Sequence, residues 1–348
     1  VDINSATFTQ SGGAVIAAGT TVTSTGAQSL QGGTIAGALD GAGAITAASG
    51  TTNITGTVTN AASFGVTGGT VNVTGAGTVD TTGNAVSVSA GTLTSDGNAI
   101  ADDETVSVSG TGTFTVNGAD TIAALNQSGG TVNGTGPIDV TGAFTQSGGT
   151  TGGTVDINSA TFTQSGGAVI AAGTTVTSAG LQSLLGGTIA GTLDGPGNVG
   201  VGTSTTFVTG TGSITSTVIA IGATGTLSTD GGALNINAAI LNNGALALTG
   251  GGDESIASMN GTGTTSLSGG SILTLNTGVS NINGVISGAG GLTVAGGTTN
   301  LGAANTYLGA TTVNSGGTLN VLAAGAIAGA STVNAGGIMT NAGTVADV

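Results

Sequence analysis

Short runs of alternating apolar and polar residues fill this chain. Val71-Asn-Val-Thr74, Val86-Ser-Val-Ser89, Val106-Ser-Val-Ser109 and Phe114-Thr-Val-Asn117 all have a period of two and begin on β-branched or aromatic residues. That period sends one set of side chains to one face of a strand and the other set to the opposite face. Gly, Asn or Asp separates the runs, as turns require. Helix signals are missing, since there are no ion pairs at i, i+4 and few good helix formers other than Ala. The pattern predicts an almost entirely β protein.

The runs recur at a fixed distance. Gln-Ser-Gly-Gly stands at Gln127–Gly130, Gln146–Gly149 and Gln164–Gly167, steps of 19 and 18 residues. A fourth copy, Gln10–Gly13, belongs to a longer duplication in which 1–41 returns nearly verbatim as 155–195. The copies differ at positions such as Thr25/Ala179, Ala27/Leu181 and Gln31/Leu185. Near the end, Val294, Val313 and Val333 open equivalent phrases, which places Asn314 beside Asn334 in an amide ladder. Fixed-period similarity means one unit stacked many times. The expectation is one continuous solenoid over 1–348, a right-handed parallel β-helix of about 18 coils with about 19 residues each, about 90 Å long at ~4.8 Å per coil.

Composition narrows this further. The chain has 348 residues with 72 Gly, six Phe, one Tyr, and no Trp or Cys, so its apolar mass is mostly Val, Ala, Ile and Leu. Such small side chains suit a narrow lumen better than a wide core. Gly supplies the corners, where a positive φ is needed. All 15 charged side chains are Asp or Glu, giving a formal charge of −15. No side-chain salt bridge can form. Phosphate contacts rely on Lys and Arg, so nucleic acid is excluded as a partner, and anionic lipid is disfavoured. Without Lys or Arg there is no trypsin site, which suits exposure outside a cell. No apolar run reaches the ~18 residues of a membrane helix. Val1 begins in mid-pattern with no basic, then apolar, leader, so the chain reads as a processed product or a segment of something longer.

One stretch resembles a known family. Residues 290–321 open with Gly290-Gly-Leu, continue through Asn305-Thr306-Tyr307 and Gly309, and close with Thr312-Val313-Asn314 and Gly317-Thr318-Leu319. This is similar to the passenger-associated transport repeat of bacterial autotransporters. Gly130-Thr-Val-Asn-Gly-Thr-Gly-Pro137 and Gly187-Thr-Ile-Ala-Gly-Thr-Leu-Asp194 look like haemagglutinin-type coils. The resemblance implies a β-helix that crosses the outer membrane and folds outside. The family's C-terminal membrane barrel has no counterpart in Thr344–Val348.

Candidate chemistry is sparse. A polysaccharide lyase needs a basic residue, and none exists. Hydrolysis by paired carboxylates would have to draw on Asp102, Asp103 and Glu104, or on Asp253 with Glu254, and adjacent strand residues face opposite ways. The expectation is therefore no enzyme. The same acidic residues are candidate calcium ligands, although the Gly-Gly-x-Gly-x-Asp loop of calcium-binding β-rolls is absent. Tyr307 and the six Phe invite a ligand reading. Because Phe8, Phe144 and Phe162 precede the same Thr-Gln-Ser-Gly-Gly phrase, they are expected to stack in the lumen. The chain thus reads as an extracellular structural β-helix, a passenger or adhesin stalk meeting cell or host surface molecules. The alternative is a filament or surface-layer subunit stacking end to end, with calcium at the joints.

Overall fold

The computed structural model describes residues 2–231, 233–235 and 237–347. Val1, the first residue of the duplicated segment, and Val348 lie outside the described residues. Among the described residues every element is a strand and there is no helix. Strands pair in parallel with the strand about one turn away, as Asp2 beside Thr21, Val106 beside Leu125 and Ile240 beside Met259 show. The offset varies from 17 residues at Thr21–Ala38 to 23 at Thr67–Ala90. The fold is a parallel β-solenoid of about 18 turns with about 19 residues per turn. The chain divides into two compact units, Val1–Ala179 and Gly180–Val348.

In the first unit each turn contributes three faces. The first face begins with Asp2–Ser5, Thr21–Ser24, Ala38–Asp40 and Thr57–Thr59. The second begins with Phe8–Ser11, Gln28–Gln31 and Ala44–Ala47, and the third with Val15–Ile16, Gly33–Ile35 and Thr51–Ile54. From Ser63–Val73 onward faces merge into longer strands: Ser63–Val73 joins the second and third, and the 14-residue Ile138–Thr151 runs through all three, with register shifts where they bend. Inward positions are Val, Ile, Leu and Phe, all buried. Phe64, Phe114, Phe144 and Phe162 are fully enclosed, and the rings of Phe144 and Phe162 lie 5.1 Å apart, tilted by 40°. Phe144 and Phe162 therefore stack in the lumen as expected, at a spacing that favours aromatic pairs.

The Gln of the repeated tetrad also faces inward. Gln146 Nε2 donates to Gln127 Oε1 at 3.1 Å and to the Val169 carbonyl at 2.9 Å. Gln164 Nε2 donates to Gln146 Oε1 at 3.2 Å, and Thr151 Oγ1 to Gln127 Oε1 at 2.7 Å. Each amide ties one turn to the next and satisfies a polar group inside an apolar lumen. The glycines of the tetrad make the bend. Gly149 has φ +77°, and a Cβ there would sit 2.5 Å from the Gly129 carbonyl oxygen, so neither the backbone conformation nor the space admits a side chain.

The second unit is built the same way. Its second face begins with Gln182–Leu185, Val199–Val201, Val218–Ile221, Ala239–Asn242 and Ser258–Asn260. Farther along, the strands Val279–Ile282, Gly297–Leu301, Gly317–Val321 and Ile338–Asn341 pair in turn. There an amide column runs up the outside: Asn281 to Asn260 at 3.2 Å, Asn300 to Asn281 at 2.8 Å, Asn320 to Asn300 at 2.7 Å, and Thr340 to Asn320 at 2.6 Å. Asn334 Nδ2 donates to Asn314 Oδ1 at 2.8 Å, the contact expected from the spacing of their phrases.

Candidate functional site

Carboxylates are the only charged side chains, and the strands divide them by parity. In Asp102-Asp103-Glu104 the first two are exposed, whereas Glu104 lies two residues before inward Val106 and is itself buried. Glu104 accepts hydrogen bonds from the Thr81 amide and hydroxyl, and from the Gly83 amide at 3.4 Å. Carboxylate oxygens of Asp80, Asp103 and Glu104 lie within 4.8 Å of one another. Asp80 Oδ1 also accepts from the Thr82 amide at 2.7 Å. The structure thus brings Asp103 and Glu104 together with Asp80, which the acidic run does not reveal because it lies a turn away, and it leaves Asp102 outside the group. Three carboxylates, one of them already hydrogen-bonded on both oxygens, supply only part of the 6–8 oxygens that calcium takes.

Asp253 and Glu254 diverge. Asp253 is exposed and accepts from the Ile272 amide at 2.8 Å. Glu254 is buried and accepts from the Ala233 and Leu234 amides at 3.1 and 3.2 Å. Burial raises the Glu254 carboxyl above the usual glutamate range, while the neighbouring Thr229 hydroxyl and the two amides act in the opposite sense. The pair therefore does not converge on one ligand position.

A third buried carboxylate, Asp120, is not singled out by the sequence. It accepts from the Ser95 hydroxyl and, at 3.4 Å, from the Ile100 amide. Burial pushes its carboxyl up to about 6, against the lowering effect of Ser95 and the backbone amides. A readable signal exists, because Asp120 stands two residues before inward Ile122, as Glu104 does before Val106 and Glu254 before Ile256.

The aromatic residues do not assemble a site. Tyr307 is enclosed, its hydroxyl 2.6 Å from Thr311 Oγ1, and burial pushes it up to about 12. Asn305, in the same Asn-Thr-Tyr phrase, is also buried. It accepts from the Ile286 amide at 2.8 Å and donates to the Ala303 and Ala326 carbonyls at 3.0 Å each. That phrase works as an internal strut. Two rings depart from this enclosure: Phe207 is exposed because inward Thr206 and Val208 flank it, and Phe8, expected in the lumen with Phe144 and Phe162, is only half-buried at the first described turn. The concave places are modest. A cavity of about 240 Å³ lined by Ile3, Phe8, Val15 and Ile16 lies at the first described turn, and an open groove of about 390 Å³ is lined by Thr224, Thr226, Asn243 and Thr264.

No protein-family model matches the chain, and no curated protein matches it. Among solved structures it is similar to the crystal structure of a TibC-catalysed, hyper-glycosylated TibA fragment spanning residues 55–350. The two share 15% sequence identity, with 98% of this chain and 100% of that one covered, at a TM-score of 0.24.

Proposed function

We propose that this chain is the structural solenoid of an extracellular bacterial surface protein, a passenger or adhesin stalk with no catalytic role. The observation that carries the reading is how the polar chemistry is used. Gln127, Gln146, Gln164, Glu104, Glu254, Asp120, Asn305 and Tyr307 are all buried and bonded to the solenoid itself, and the outer amide column from Asn260 to Thr340 joins turn to turn. Side chains that in an enzyme would face a substrate here hold strands in register. The transport-repeat resemblance of 290–321 and the absence of Lys and Arg support a place outside the cell. Antibody labelling of intact producing cells tests it. Labelling without permeabilisation is the expected result, and labelling only after permeabilisation would overturn it. Electron microscopy with calcium and after chelation addresses the end-to-end alternative, because filaments lost on chelation would make polymerisation the function.

A further inference from the structure

The third face of the first unit carries a regularity that its neighbours lack. Thr51, Thr70, Thr92, Thr113, Thr131 and Thr150 stand beside one another in six consecutive turns. All six point outward, since the residues that follow them, from Thr52 to Thr151, are buried in the lumen. Two positions farther along the same strands, Asn53, Asn72, Thr94, Thr115 and Asn133 form a second outward column. Strand propensity alone does not produce such uniformity. On the second face of the same turns an outward column reads Thr46, Gly65, Ser87, Ser107, Asn126 and Thr145.

Threonine suits a fixed lattice. Its β-branched side chain is stiff at χ1, so hydroxyl and γ-methyl keep one direction from turn to turn. Each of the six follows a glycine, from Gly50 to Gly149, and no side chain rises on that flank of the column. Among the described residues, no protein group hydrogen-bonds to the six hydroxyls, which leaves their donors and acceptors to the solvent. The second column is held from within. Asn72 Nδ2 donates to Asn53 Oδ1 at 3.0 Å, and Thr115 Oγ1 to Asn133 Oδ1 at 2.8 Å. Neither column contains a charge. The next outward position holds one carboxylate, Asp96, whose Oδ1 accepts from Asn117 at 3.3 Å.

The strands set the dimensions of this array. Side chains repeat about every 4.8 Å up each column and stand about 6.6 Å apart between columns, over about 24 Å for six turns. We infer that this face binds ice, its hydroxyls and amides taking the places of water oxygens in a prism face of the crystal. Both spacings lie close to the oxygen repeats of that face. Neutrality selects the ligand on a chain of charge −15, because a carboxylate would keep a hydration shell of its own. The two columns carry no aromatic or large aliphatic side chain, so they lack both the anchors of a protein interface and the stacking platforms of a glycan cleft. Ice is also told apart from liquid water. Single waters exchange one by one, whereas a lattice engages both columns at once, and many weak contacts made together are strong.

Partitioning of the whole chain into slowly grown ice tests this, with an inert protein tracer in the same tube and thermal hysteresis measured alongside. The expected result is enrichment of the chain in the ice while the tracer stays in the liquid, with faceted crystals that freeze below their melting point. Thr92→Tyr/Thr113→Tyr puts bulk at the centre of the array and leaves the lumen untouched, so it should lose both effects at an unchanged unfolding midpoint. Ser107→Tyr, on the second face, should keep both. Exclusion of the parent chain together with the tracer would overturn the inference. So would full retention in the threonine variant, or an equal loss in Ser107→Tyr, since either would place the contact elsewhere.

Discussion

Asp120 is the residue whose burial has the clearest measurable consequence. Its carboxyl titrates near 6 in the folded chain and near the ordinary aspartate value of 3.8 once unfolded. Between those values the folded chain holds more protons than the unfolded one, so stability is greatest below about 3.8 and falls as pH rises through about 6. The shift corresponds to about 3 kcal/mol at neutral pH. Asp120→Asn should therefore raise the melting temperature at about pH 7 and change it little at about pH 4. A variant equally destabilised at both values would contradict the assignment. Glutamines give a paired test. Gln28 is buried with neither amide atom hydrogen-bonded, whereas Gln146 bonds to Gln127, Thr151 and Val169. Gln28→Leu is expected to hold or raise the urea midpoint, and Gln146→Leu to cost about 1–3 kcal/mol by orphaning its partners. The reverse order would show that the lumen does not depend on these amides.

At the scale of the strand and its corner, the tetrad glycines are the sensitive points. Gly149→Ala asks a side chain to adopt a positive φ against the Gly129 carbonyl, and should lower the unfolding free energy by more than about 1 kcal/mol in urea titrations. Gly167→Ala, which meets nothing within 4 Å, is the control and should be close to neutral. Much at this scale is legible in the sequence. The alternating runs are strands, the phrase spacing is the turn, and Asn314 meets Asn334. What escaped was the side to which unusual residues point. An acidic triplet reads as a solvated loop and leucine as core, yet Glu104 is buried and Leu181 and Leu185 are exposed. Parity settles Glu104, because Val106 fixes the inward set. It also settles Phe207, which cannot face inward beside Val208. Asp80 was out of reach for a different reason, since its partners Asp103 and Glu104 are neighbours only once the turns are stacked.

For the whole chain, chemistry is distributed unevenly. Ten of the 15 carboxylates fall in 1–179 and five in 180–348, and the exposed apolar residues follow the opposite gradient. Trypsin should leave the chain intact even in denaturant, since it has no Lys or Arg. A protease that cuts after small aliphatic residues should cleave it readily once unfolded and slowly when native. Rapid cleavage of the native chain would mean that the strand pairing is far looser than its register implies.

The duplicated segment bears on how such a molecule changes over generations. The same residues rest against different followers in its two copies: Leu30 beside Ala47 but Leu184 beside Val201, and Leu39 beside Val58 but Leu193 beside Ile214. A block that tolerates two sets of neighbours can be gained or lost by unequal recombination between its copies without rewriting the turns around it. The number of turns is then a heritable trait that can vary between close lineages, while the rules for stacking one turn on the next stay the same.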